Sequence, residues 1–517
     1  MPDEFDDHPT LEEVEEVNRK LHASDKVVQF HQQPKKDEPQ DKRELALNKH
    51  YATVLKNSKL KVIDETRPED ILFLDKKDFM DKLSYRKVLI ELISPDKTIK
   101  AKWESETKLW LENQDHRQYD RVIFDPHPNK KHSIIGGGDY NLWRGFAIQP
   151  RRGKCYKTLQ YIKKILCNND KKIFRWLMAW TSHIFQRPWE KPETAVCLHG
   201  EEEGTGKSFF PMIISKLMDG KNPSGATRLY FKASNSRMLT GDFTGHLERC
   251  ILLHAEEAFR AESEREDSII KDLISGEDMG SNPKGVEAHI NRSYIRLILT
   301  GNPPHIVKAS RWARRFLVSN VSSSRRMDLE YFRSIQHELD NGGYEALMYY
   351  LMHYPINKFS LREAPKTEAL LEQKLESLKS EERFWYNMMH EAELPIEGTN
   401  QGKYYPGNQM EYMVIKYILF NRFQRFTNRR VEKNRADSTS FGMRFSQFFP
   451  VIDGDGNIVK ERNGKNMRFL KTDKPNDVNF YIIPTLSLCR RMFEAYIGHK
   501  IEWPDNKDWT EKYLGSD

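Results

Sequence analysis

Cysteine is scarce. Five of 517 residues are Cys (Cys155, Cys167, Cys197, Cys250, Cys489), scattered and with no CxxC pair. That spacing argues against a zinc site and a disulfide framework, and for a reducing compartment. The chain has no run of about 18 apolar residues, so no transmembrane helix is expected. The stretch MPDEFDDHPT is acidic and has no apolar core, so it does not read as a signal peptide. The expected location is the cytoplasm. A large excess of one charge is also missing. Charged residues make up 31% and the formal net charge is +7, which is compatible with nucleic acid, although binding depends on where the cations cluster. The first part of the chain offers no metal centre: Asp75, Asp78 and Asp81 do not form a metal-binding pair at a strand end and read as surface charges on a helix.

One stretch, TAVCLHGEEEGTGKSFF (residues 194–210), organises the rest. Ala195 to Leu198 read as a buried strand, which opens into a glycine loop ending Gly204-Thr205-Gly206-Lys207-Ser208. Phe209 to Met218 carries apolar residues at three- and four-residue spacing and reads as a helix. Strand, glycine loop, Lys-Ser and helix form the context of a P-loop. Backbone N–H groups and a helix N-terminus would face the phosphates of ATP. Lys207 would reach the β- and γ-phosphates, and Ser208 would hold Mg2+. Gly204 and Gly206 allow backbone approaches that a side chain would block. The usual first glycine position holds Glu201, with Gly200 one place earlier, and the acidic run 201–203 suits a polyphosphate only if its side chains face outward.

About 50 residues further on, LERCILLHAEE reads as an apolar strand ending in Glu256 and Glu257. Glu256 would act on Mg2+, directly or through water, and Glu257 would polarise the attacking water. Next comes a helix around Ile269 to Ile274, then turn residues flanking Lys284, as in a hairpin with a cation at its tip. The strand Ser293 to Thr300 leads to Asn302, an amide placed to orient water or contact the γ-phosphate. Arg314 and Arg315 follow, either of which could stabilise charge on a neighbouring subunit's nucleotide.

The order of these elements resembles the superfamily 3 helicases, in particular the primase–helicase group of phages, plasmids and large DNA viruses. The segments that carry it are YNLWRGFAI, LHGEEEGTGKSFF, LLHAEEA, KDLISGEDMGSNPKG, RLILTGNPP, RRFLV and REAPKTEALLEQKLESLKS, spanning Tyr140 to Leu394. The resemblance implies an α/β AAA+ P-loop ATPase that assembles as a ring, a hexamer in the expected form, around DNA. It gives Lys207 and Ser208 the phosphate and Mg2+ roles, Glu256 and Glu257 the acidic pair, Asn302 the sensor, Arg314 or Arg315 the arginine finger, and Lys284 a DNA contact in the pore. Ala313 departs from the acid that relatives often carry before the arginine pair. No primase is evident, so a separate primase or polymerase would supply priming.

The expected division is a disordered tail over 1–44, an N-terminal α/β domain over 45–139 in a mostly helical N-terminal region, an ATPase domain with helical collar over 140–394, and a C-terminal domain over 404–517. In the last, Arg422, Arg425, Arg429, Arg430, Lys433 and Arg435 are interleaved with Phe423 and Phe426, and Asp453 to Gly456 reads as a hairpin turn. This suggests a winged-helix-like α+β domain that grips duplex phosphates; a solvated charge run is the other reading. The expected function is ATP-dependent unwinding of DNA in mobile-element replication. The alternative is a DNA-stimulated ATPase that loads or remodels replication proteins without unwinding.

Overall fold

A computed structural model describes residues 44–56, 59–67, 70–93, 99–128, 137–200, 202–220, 228–240, 245–257, 264–281, 289–302, 314–395, 412–429, 437–461, 463–473, 478–505 and 508–512. The protein is a mixed α/β chain built on a parallel sheet, with many helices. Five strands form that sheet: β1 (Ala195–His199), β2 (Tyr230–Ala233), β3 (Leu252–Glu256), β4 (Arg296–Gly301) and β5 (Phe316–Asn320). All pairs are parallel, in the order β2-β3-β4-β1-β5. Strands such as AVCLH and RLILTG are buried along their whole length, as a sheet covered on both faces requires.

The strand alternation sorts the two cores. Val196, Leu198, Ile298 and Leu317 face one side, against helix α1 (Lys171–Gln186) and helix α2 (Phe209–Asp219). Ala195, Cys197, Leu253, Leu297, Leu299 and Val318 face the other, against Ile270, Leu273 and Ile274 of helix α3 (Glu264–Ser275). Asp170 caps α1 by accepting from the backbone N–H groups of Lys172 and Ile173. The crossovers carrying α2 and α3 send every strand back in the same sense. The C-terminal ends of β1, β3 and β4 therefore share one edge, where α/β sheets bind ligands.

Around this sheet the chain adds three things. The segment YNLWRGFAI lies along α2: Ala147 N–H donates to the Met218 carbonyl at the helix C-terminus (2.9 Å), and Phe146 meets Phe185 of α1. An antiparallel pair, Asp278–Ser281 with His289–Arg292, follows α3. The helices α4 (Leu329–Glu338), α5 (Tyr344–His353) and α6 (Glu368–Glu376) follow β5. Ala369 and Leu370 of α6 join the sheet core, whereas Leu371 and Leu375 face the apolar cluster of the C-terminal part.

That C-terminal cluster contains α7 (Ser380–Glu391), α8 (Lys416–Arg429), α9 (Ser438–Phe445) and α10 (Leu486–Ile497), with a three-stranded antiparallel sheet centred on Phe480–Ile483. Trp385 of α7 is fully buried among Phe445, Phe449 and Trp509. The sequence reads as helix from Gln409 to Phe426. Residues 412–415 are instead a strand paired with Phe480–Ile483, and the helix begins at Lys416.

The N-terminal part corrects a second expectation. Among the described residues it is mainly strand. A four-stranded sheet (Tyr51–Lys56, Lys59–Asp64, Leu72–Asp75, Gln118–Tyr119) and a hairpin (Lys87–Ile93 with Ile99–Ser105) accompany three short helices. The segment WESETKLWLEN spaces Trp103, Leu109 and Leu111 as a partly amphipathic helix, but Trp103 lies in the hairpin strand and is 63% exposed. The helix starts at Glu106 and buries Trp110. The apolar residues of YATVLK and KVLIELI include β-branched residues that suit strands, and their pairing outweighs local helix spacing. Among the described residues, no helix is long and apolar enough to cross a membrane.

Candidate active site

The C-terminal edge of the sheet gathers five of the residues singled out in the sequence. Lys207, 8% exposed, turns its ammonium back under the loop that carries it. It donates to the carbonyls of Gly200 (2.8 Å) and Glu202 (2.7 Å) and to Asn302 Oδ1 (2.5 Å). The Asn302 amide donates to Glu257 Oε1 (3.0 Å). Ser208, just before α2, donates to Glu256 Oε1 (2.5 Å). Residues from the ends of β1, β3 and β4 thus form two adjacent hydrogen-bonded groups, with Asn302 between the lysine and the second acid because β4 lies between β1 and β3.

The loop itself is held from outside. Gly204 has φ +74° and Gly206 φ +92°, conformations that favour glycine. A Cβ on Gly206 would lie 2.6 Å from the Phe332 ring of α4, and one on Gly204 would lie 2.5 Å from Met327 Sδ. Tyr161 donates its hydroxyl to the Gly206 carbonyl (2.7 Å), and Met327 N–H donates to the Gly204 carbonyl (3.0 Å). Glu202 and Glu203 are exposed, and Glu202 pairs with Arg326 at 3.4 Å. Both described acids of the run therefore face outward. Thr205 is 1% exposed, and its Oγ1 has no hydrogen-bond partner among the described residues. An unsatisfied hydroxyl inside a glycine loop, beside a lysine and a serine, fits a phosphate group.

Electrostatics follow from burial. Desolvation lowers the Lys207 ammonium from its ordinary value, against the pull of Glu257 and Glu203. Desolvation works upward on Glu256, but hydrogen bonds from Lys232 and Ser208 outweigh it and hold the carboxyl below its usual range. Beneath them, His254 lies between the Tyr230 hydroxyl (2.9 Å from Nδ1) and Thr300 Oγ1 (2.8 Å from Nε2). Burial pushes its pKa down to about 4, so the ring is neutral near neutral pH.

The other singled-out residues are elsewhere. Arg314 is exposed and Arg315 half-buried, immediately before β5. The Arg315 carbonyl accepts from Ala195 N–H at the start of β1 (2.8 Å). The pair therefore lies at the N-terminal edge of the sheet, roughly 15 Å of strand away from Lys207, and one chain does not bring it to its own network. Lys284 falls between the paired strands of the 278–292 hairpin, outside the described residues, as does Arg430; the side chain of Arg429 is also outside them. Arg425 is exposed on α8. Phe423, the aromatic beside it, is 2% exposed and belongs to the core rather than to a nucleic-acid face. Exposed Lys460, Lys465, Arg468 and Lys471 follow a ladder of bridges, Ile452 with Ile458, Lys460 with Asn466 and Pro450 with Arg468.

Sequence reading missed Lys232, Tyr161 and Arg326. Lys232 forms a short ion pair with Glu256 Oε2. Each is brought to the site by a pairing or packing contact between distant segments, for which no local motif exists.

Residues 198–315, from β1 to the arginine pair, match a family described as "Family of unknown function (DUF5906)". No curated protein matches the chain. Among solved structures, the apo C-terminal region of NrS-1 (residues 305–718 of that protein) is similar at 14% identity and TM-score 0.55, covering 83% of this chain and 99% of that one. A second structure, the A form of the apo NrS-1 C-terminal region, aligns at 13% identity and TM-score 0.53, covering 85% of this chain and 98% of the other. At such identities the likeness is one of fold.

Proposed function

We propose that this chain is an ATP-hydrolysing DNA helicase of mobile-element replication, with an AAA+ core that works as a ring, a hexamer in our reading. The observation that carries the ATPase reading is the linked pair of contacts at the sheet edge, Ser208 with Glu256 and Lys207 through Asn302 to Glu257. A P-loop lysine and serine, two acids and a strand-end amide within hydrogen-bond reach supply what phosphoryl transfer to water requires.

Each residue has a distinct task. Lys207 exchanges Asn302 and two carbonyls for the β- and γ-phosphate oxygens. The N–H groups of Gly204 to Ser208 and the Thr205 hydroxyl cradle the phosphates. Glu257, released from Asn302, accepts the proton of the attacking water, and Asn302 orients that water against the γ-phosphate. Mg2+, held by Ser208 and by Glu256, would supply charge neutralisation between the phosphates. Arg314 or Arg315 would reach the site of the next subunit, which the distance within one chain favours. Lys284 would contact single-stranded DNA in the pore, and Arg425, Arg429 and Arg430 of the basic C-terminal stretch would hold duplex.

The test is unwinding of forked DNA by wild type beside Lys207→Ala and Lys284→Ala. The expected outcome is that Lys207→Ala loses both ATPase and unwinding, while Lys284→Ala hydrolyses ATP and leaves the strands annealed. Hydrolysis by wild type with no strand separation on any fork would replace the helicase reading with the loader reading.

A further inference from the structure

Among the described residues of the polar network at the sheet edge, Lys232 has no part in the tasks above. It stands on β2 directly opposite His254 on β3. Two residues on, in the same direction, is Glu256, so alternation puts the Lys232 and Glu256 side chains on one face of the sheet. There the ammonium meets Glu256 Oε2 while Ser208 occupies Oε1. Both oxygens of the acid are thus engaged, one by a hydroxyl and one by a fixed positive charge. Lys232 is still 47% exposed on its side chain, so it has room to leave.

We infer that Lys232 gates the divalent cation of this site: its ammonium holds the carboxylate oxygen that a metal ion needs and must swing out before the metal is held. The inference rests on the P-loop reading of Lys207 and Ser208. Lys232 is a positioning residue, acting through Glu256. The pair of positive charges that would otherwise face each other, ammonium and metal, makes simultaneous occupancy of that oxygen unfavourable. The gate therefore raises the metal concentration at which nucleotide is bound in its metal complex.

The experiment reads binding rather than turnover. The chain carrying Glu257→Gln, to slow hydrolysis, is titrated with Mn2+ in the presence of a fluorescent ATP analogue, with bound Mn2+ followed by electron paramagnetic resonance. Lys232→Met and Lys232→Gln should each lower the Mn2+ midpoint about threefold or more, at unchanged melting temperature, as removal of a half-exposed charge pair allows. Lys232→Arg should stay near the parent. Adding Glu256→Gln should abolish the difference between the parent and the chain with Lys232→Met. An unchanged or higher midpoint in both neutral variants overturns the gate while leaving the P-loop reading in place. Absence of nucleotide binding in the parent overturns both.

Discussion

Glu257 has φ +51°, a left-handed backbone that a glutamate rarely adopts. Its N–H donates to the Thr300 carbonyl (2.9 Å) and its side chain accepts from Asn302, which together hold the carboxylate at the sheet edge. Glu257→Gln should keep nucleotide binding and lower kcat about 100-fold, checked by paired binding and phosphate-release assays. One layer below, His254 gives a pH signature. Its folded pKa, about 4, lies below the ordinary imidazole value of 6.5. The folded chain therefore binds fewer protons, and this residue's stabilising share is complete above the unfolded value and is lost as pH falls toward the folded one. At about pH 5 the loss should reach about 2 kcal/mol. Urea unfolding near neutral pH and at about pH 5, compared with His254→Gln, checks it. At this scale Lys207, Ser208, Glu256, Glu257 and Asn302 were legible because each ends a strand or loop with its own local pattern. Lys232 was not, since KAS reads as any exposed strand end until its register with His254 is known.

Among the elements, α1 is anchored to the sheet by a buried cation. Arg296, at the start of β4, is 1% exposed and donates to the carbonyls of Arg187, Pro188 and Glu190, just past the α1 C-terminus, and to that of Tyr294, just before β4. Burial lowers its pKa to about 9, yet the four carbonyls keep it engaged. Arg296→Met removes the donors and leaves buried carbonyls unsatisfied. It should lower the unfolding free energy by about 3 kcal/mol, read as a lower urea midpoint, with nucleotide affinity of the folded fraction unchanged. Most of the core strands were readable because β1, β3 and β4 are short apolar runs bounded by turn signals, whereas β5 was not assigned as a strand from its sequence. Tyr412–Ile415 was not, because its partner lies at Phe480–Ile483. A short apolar run next to a helix takes its state from that distant pairing rather than from its own spacing.

Over the whole molecule, the position of Arg314 and Arg315 away from the chain's own Lys207 predicts a shared site. A Lys207→Ala chain and an Arg314→Ala, Arg315→Ala chain should each be inactive alone. Mixed, they should recover part of the ATPase activity, because some interfaces then join an intact loop to intact arginines. No recovery at any mixing ratio would mean that the arginines do not act across subunits.

Helix α6 has a mechanical meaning at this scale. Its cap, Thr367, donates its hydroxyl to the Val318 carbonyl of β5 (2.6 Å), and Asn320 at the end of β5 donates to Glu372 (3.2 Å). Two residues further, the buried ammonium of Lys374 donates to the Ile497 carbonyl, at the end of α10 (2.8 Å). A single short rod is thus pinned at one end to the strand beside the phosphate loop and at the other to the C-terminal core. It is a shared rivet rather than a tether: neither half can be cut free at this joint without exposing apolar surface of both.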